Sequence, residues 1–165
     1  MDKLSPERRS ENMRRIRNRD MKPELTVRSA VHRMGHRFRL HGRGLPGKPD
    51  LVFPGQRKVI FVHGCFWHQH AGCPEASRPK SNRDYWRAKL RGNVRRDRRN
   101  LRALDELGWS ALVVWECDVE RRLESVRRQI QRFLCGGRVR GNSPARGSVR
   151  ARRPRRAARA ARRRR

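Results

Sequence analysis

The stretch Phe61-Val62-His63-Gly64-Cys65-Phe66-Trp67-His68-Gln69-His70-Ala71-Gly72-Cys73 decides how this chain is read. It opens as the end of an apolar strand, Val59-Ile60-Phe61-Val62, which Gly64 then breaks. His63, His68, His70, Cys65 and Cys73 crowd the rest of it, with Phe66 and Trp67 between them. Imidazole and thiolate are the side chains best suited to hold zinc. Imidazole is also the side chain whose free pKa suits proton transfer near neutrality. One segment therefore reads as both a metal clamp and the edge of an active site.

Working upstream, Pro49-Asp50-Leu51-Val52-Phe53 is a turn followed by a strand, and Pro54-Gly55 turns the chain into the next strand, a hairpin. Pro-Asp at the lip of one strand, with a second strand soon after, is a layout found in Mg²⁺-dependent nucleases. It is also an ordinary turn dipeptide. Residues 23–34 fit an amphipathic helix, with Pro23 at its start and Gly35 at its end. Glu24 falls in its first turn, where the helix dipole alone would favour a carboxylate. Residues 37–40 suit a short strand, followed by a glycine-rich loop over 42–48.

Downstream, 71–82 reads as loop, and a long helix is predicted over 83–107 from Trp86, Leu90, Val94, Leu101, Leu104 and Leu107. Asn93 and Asp97, four apart, share one face. With Arg95, Arg96, Arg98 and Arg99 beside it, Asp97 suits a surface ion pair or a carboxylate that orients an imidazole. Ser110–Trp115 is a buried-type strand, and a last helix follows over 123–134. Trp109 and Trp115 flank that strand and read as structural; Cys135, at the helix end, reads as a small core residue.

The chain has 165 residues and a formal net charge of +30. Its last 30 residues carry 13 Arg and no acid, and are too poor in apolar residues to fold alone. The remaining 135 residues still hold 32 basic against 15 acidic side chains. A body that basic is expected to bind a polyanion, most commonly nucleic acid. The first residues show no signal-peptide core, and no apolar run approaches membrane-spanning length. A cytoplasmic protein is expected, in which clustered Cys and His favour metal over disulfides.

Cys65, His70 and Cys73 offer three ligands close together, and Cys117 is the evident fourth. Such a Cys3His set is closed and so structural. His63 and His68 are then free to face a scissile phosphate, unless one of them replaces a Cys at the zinc. Phe66, Trp67 and Trp86 suit wedges between base steps, although Trp86 also fits plain helix packing. Near the start, Met13 and Ile16 sit three apart on an otherwise polar, basic arm, which is either frayed or closes over DNA. A zinc-stapled DNA-binding protein without catalysis and a restriction endonuclease remain rival readings at this level.

Asn12-Met13-x2-Ile16, Arg19-Asp20, Leu45–Asp50, Val62–His68, Asn93-Val94-x2-Asp97, Leu107-Gly108-Trp109 and Val114–Cys117 together resemble the very-short-patch mismatch repair endonucleases, the Vsr family. The likeness runs over 9–135 and omits the Arg-rich tail. It implies an α/β fold like that of the restriction endonucleases, three-layered, with a central mixed sheet flanked by helices and a structural zinc site. The division it implies is an N-terminal DNA-clasping arm (1–22) and an endonuclease domain (23–135), to which composition adds a disordered Arg-rich tail (136–165).

The resemblance also implies a monomeric DNA endonuclease of the bacterial cytosol that nicks 5′ to the T of a T·G mismatch left by deamination of 5-methylcytosine. Polymerase and ligase would follow, with mismatch-repair proteins as possible partners. Asp50 and the backbone carbonyl of Val62 would hold Mg²⁺, His68 would act as acid or base with Asp97 orienting it, and His63 and Glu24 would assist. Cys65, His70, Cys73 and Cys117 would bind Zn²⁺. Phe66, Trp67 and Trp86, with Asn93, would meet the DNA from the major-groove side, and Met13 and Ile16 from the minor groove. Position 62 is Val where Thr occurs in the family, and the usual second carboxylate and Lys of restriction-type sites are missing after the hairpin.

Overall fold

A computed structural model describes residues 20–136. Met13 and Ile16 of the arm, and the tail beyond 136, lie outside the described residues.

Helix α1, Lys22–Arg33, begins with Pro23 in its first turn and ends at Gly35, whose φ of 81° suits a residue without Cβ. Strand β1 is Arg39–Leu40, β2 is Leu51–Phe53 and β3 is Lys58–His63. A tight turn over Pro54–Gln56 makes β2 and β3 an antiparallel hairpin, pairing Leu51 with Ile60 and Phe53 with Lys58. A one-turn helix α2, Cys65–His68, follows Gly64, and the long helix α3 is Arg83–Glu106. Strand β4, Ser110–Trp115, then returns parallel to β3, pairing Val62 with Val114 and His63 with Trp115. Helices α4, Glu116–Arg121, and α5, Leu123–Cys135, complete the described fold.

The sheet order is β1-β2-β3-β4, mixed in direction. Its two-residue alternation splits the core. Leu51, Phe53, Ile60 and Val114 meet Val27 and Val31 of α1, Val119 of α4, and Val126, Ile130 and Phe133 of α5. On the other face Val52, Val59 and Phe61 meet Leu104, with Leu101 and Trp109 packed beside them. Helices thus cover both faces, the three-layer α/β layout expected from the resemblance. His63 continues the Val59–Phe61 side, so β3 delivers it towards α3.

Buried Lys58 closes the far end of this unit. Its Nζ donates to the carbonyls of Phe133, Leu134 and Gly136 at 2.7, 3.1 and 2.9 Å. A cation thereby caps the negative end of α5. Three local readings change. Residues 116–121 form a helix where only a strand end was foreseen, its first turn carrying Glu116 and Asp118 where the dipole favours anions. Residues 74–76, read as loop, make a single tight helical turn. Cys135 is exposed rather than in the core, with Gln131 Nε2 3.0 Å from its sulfur.

Candidate active site and metal centres

An open groove of about 1150 Å³ lies between the start of α1, the end of β3 and one flank of α3. Asp50 stands on its floor, pinned twice across the hairpin. Its backbone N–H donates to the Ile60 carbonyl at 3.1 Å, and its Oδ2 accepts the N–H of Val62 at 2.8 Å. Glu24 reaches the same groove from α1. Its Oε2 accepts from the Asp20 N–H at 2.9 Å and from the Arg28 guanidinium at 3.1 Å. Burial raises the pKa of both carboxyls, and the charge of Asp50 pushes Glu24 further up. The bond from Val62 to Asp50 and the positive charge of Arg28 oppose the rise.

Across the groove His63, 8% exposed, stacks on His68 with ring centroids 3.8 Å apart and planes within 10°. His68 is carried by α2, and its Nδ1 lies 2.7 Å from Asp97 Oδ2 on α3. A carboxylate can only accept, so the proton of this bond sits on Nδ1, and in the neutral ring Nε2 is the nitrogen left without one. Burial, reinforced by His68, depresses the His63 pKa to about 3, with Asp97 acting the other way. One turn before Asp97, Asn93 donates its amide to the Trp67 carbonyl at 3.1 Å. Residues four apart on α3 therefore fix both the imidazole and the aromatic turn beside it.

The cysteines gather separately. One ligand atom each from Cys65, His70, Cys73 and Cys117 lies within 4.8 Å of the others. His70 Nδ1 is 3.6 Å from Cys65 Sγ and 3.3 Å from Cys117 Sγ. Burial pushes the Cys65 thiol up to about 12, a cost that a zinc ion would offset by taking the thiolate. Three thiols and one imidazole closing on a single point fit a tetrahedral zinc site. His63, His68 and Asp97 form a second group of potential ligands. Of the three histidines, His70 is thus the one that joins the thiols.

Phe66, Trp67 and Trp86 meet as a half-buried cluster, with centroids 5.0, 5.5 and 6.1 Å apart. Tyr85 extends it by edge contact with Trp86, and Lys89 lies over the Trp67 and Tyr85 rings. Trp115, read as structural, reaches both centres: it stacks on His70 at 4.2 Å and meets His63 edge-on at 5.5 Å. Sequence reading also passed over Arg28 and Glu116. Arg28 bonds Asp20 and Glu24, and its i,i+4 spacing from Glu24 was the available signal. Glu116 accepts the Cys65 N–H at 3.2 Å across 51 residues, which no local pattern announces.

A family model described as DNA mismatch endonuclease Vsr matches residues 1–74. The type II nicking enzyme V.XorIIP of Xanthomonas oryzae pv. oryzae is 52% identical over 118 residues, 72% of this chain and 86% of that protein. The DNA mismatch endonuclease Vsr of Escherichia coli K12 is 41% identical over 132 residues, 78% of this chain and 84% of that protein. The chain belongs to the Vsr family of DNA mismatch endonucleases.

Among solved structures, the catalytic domain of the homing endonuclease I-Bth0305I is similar at a TM-score of 0.49 and 22% identity, over 70% of this chain and 96% of that one. In this Vsr-family chain, no described helix is long and apolar enough to cross a membrane. Its Arg-rich tail lies beyond the residues that the family model matches.

Proposed function

We propose that this protein is a Mg²⁺-dependent endonuclease that nicks duplex DNA 5′ to the T of a T·G mismatch arising from deaminated 5-methylcytosine. The observation that carries this reading is a convergence: two carboxylates and an Asp-braced imidazole line one groove, apart from the thiolates. Family membership supplies the reaction class.

The donors fit magnesium. Asp50 and Glu24 are oxygen ligands, and burial raises the pKa of both, a cost to their charged forms that a bound hard cation would offset. Asp50 and the Val62 carbonyl would hold the ion, with Glu24 and His63 assisting at the phosphate. Bound there, Mg²⁺ would supply Lewis-acid stabilisation of charge on the phosphate. His68 then exchanges a proton through its free Nε2, while Asp97 keeps the ring in the required tautomer. Zn²⁺ in the Cys65–His70–Cys73–Cys117 set would brace the fold and take no part in the chemistry.

Phe66, Trp67 and Trp86 are the wedge against the duplex at the mismatch. Asn93 serves by holding the Trp67 carbonyl. Met13 and Ile16 would close the arm over the other groove. The reaction leaves a 5′-phosphate for polymerase and ligase, and one chain suffices for it.

The test is nicking of a panel of mismatched duplexes with Mg²⁺. T·G should be cut in one strand, and Asp50→Ala and His68→Ala should each slow cutting by about a thousandfold or more. Equal cutting of a fully paired duplex, or full activity in either variant, would refute the assignment.

A further inference from the structure

The outer flank of α3 carries a ridge of arginines that the catalytic groove does not use. Arg83, Arg87, Arg91, Arg95 and Arg99 follow one another at four-residue steps, and Arg98 and Arg102 fill in beside them. All seven are exposed. Like charges at i,i+4 oppose helix formation, so this spacing works against the helix that bears it. A merely solvated flank would alternate signs and gain from the same spacing. Here the acids on that side stand only near the two ends, at Asp84, Asp105 and Glu106. Arg87 lies a loose 3.9 Å from Asp84, and the other six arginines make no ion pair among the described residues.

The groove takes Lys89, Asn93, Arg96, Asp97, Asn100 and Leu101 from the same helix. At ~100° per residue, the centre of Arg87, Arg91, Arg95, Arg98 and Arg102 lies about 160° round the axis from the centre of that set. A duplex seated in the groove leaves this ridge facing away. Over Arg87–Arg102 the ridge runs about 22 Å, at a rise of about 6 Å per four residues. Only Ala88 and Gly92 lie exposed between its arginines, so it offers no apolar anchor of the kind a protein partner needs. What remains is a row of exposed guanidinium groups, the chemistry that contacts a phosphate backbone without reading sequence.

We infer that the outer flank of α3 is a second, sequence-independent binding site for duplex DNA, able to hold another segment while the groove holds the mismatch. The site would keep the protein on DNA during transfer between segments. It needs no cleavage, so it stands or falls apart from the reaction proposed above.

The test uses the full-length chain without divalent cation. A short T·G duplex is fixed to beads, and capture of a labelled, fully paired second duplex is measured against salt. Wild type should capture it, with log K falling against log salt at a slope of about −4 to −5, as five phosphate contacts require. The variant Arg87→Gln/Arg91→Gln/Arg95→Gln/Arg98→Gln/Arg102→Gln should lose capture at least tenfold. Gln matches Arg in helix propensity, so circular dichroism should be unchanged. Its single-turnover nicking of the short T·G duplex with Mg²⁺ should stay within twofold, and the matching Arg→Lys set should restore capture. Three results would each overturn the inference: no capture by wild type, undiminished capture by the Gln variant, or failure of the Lys set. A fall in nicking with the Gln variant would do so too, because it would place the ridge in the primary footprint.

Discussion

Replacing Asp97 by Asn changes one oxygen for an NH₂ and little else. The His68–Asp97 bond, at 2.7 Å, is at the short end for a charge-assisted N–H···O contact. An amide at 97 can turn its NH₂ towards Nδ1. In the neutral ring the proton must then sit on Nε2, and the base proposed above is lost. If the amide turns its oxygen instead, the tautomer survives but the charge that stabilises a protonated ring does not. In the Ser-His-Asp triad the equivalent change costs ~10⁴-fold, and acid–base catalysis as a whole is worth ~10²–10⁴-fold. The His68 and Asp97 side chains keep 26% and 17% of their exposure, so water tempers the effect. The expected loss is ~10²–10³-fold in the cutting step, or about 3–4 kcal/mol. Single-turnover nicking at saturating enzyme isolates that step, and DNA affinity should stay within about threefold because the imidazole's position is kept. Asp97→Asn in a His68→Ala background should cost nothing further, since the two act as a unit. A single variant that cuts within twofold of wild type, or a double variant well below His68→Ala, would refute the relay.

Three other outcomes follow from the same structure. Metal analysis should find one zinc per wild-type chain and none in Cys117→Ser, whose melting temperature should fall by ten degrees or more, on the order expected when a structural zinc site is lost. Trp67→Ala should weaken binding to the T·G duplex and abolish the fluorescence rise of a 2-aminopurine placed beside the mismatch, because the ring at the centre of the aromatic cluster is gone. Lys58→Met should destabilise the fold by about 2–3 kcal/mol in urea titration, since three carbonyls at the end of α5 lose a charged donor. Nicking per folded molecule should be unchanged by that substitution.

What the sequence disclosed well was local. The β2–β3 hairpin, the end of α1 at Gly35 and the length of α3 all follow from turn residues and periodicity within one window. The Cys65–His70–Cys73–Cys117 cluster was legible because three of its four members fall within nine residues. The parts left unread join distant segments. Trp115 read as structural because it flanks a strand, yet the parallel register sets it opposite His63, and it stacks on His70 as well. Glu116 reaches the Cys65 N–H only because β3 and β4 end side by side. His70 was read as the thiols' partner from its spacing, but the turn that carries it to them was not, and it rests on Gln69. Its φ of 52° reverses the chain after α2. No periodicity predicts a left-handed residue there.

That reversal couples the two centres. Cys65 begins α2 and His70 follows its end, and both face the thiol cluster. The clamp therefore grips the turn at its two ends, and the residues between are Phe66, Trp67 and His68: two of the three aromatics and the imidazole that meets Asp97. From the opposite side α3 grips the same turn, through Asn93 on the Trp67 carbonyl and Asp97 on His68. A four-residue helix has almost no stability of its own. Its rigidity has to come from those four attachments and the Glu116 bond to the Cys65 N–H, so a zinc ion held by the thiols would help decide where the His68 imidazole points. Disturbing the thiolates should then be felt first as a misplaced imidazole and a loosened wedge, before the sheet itself gives way.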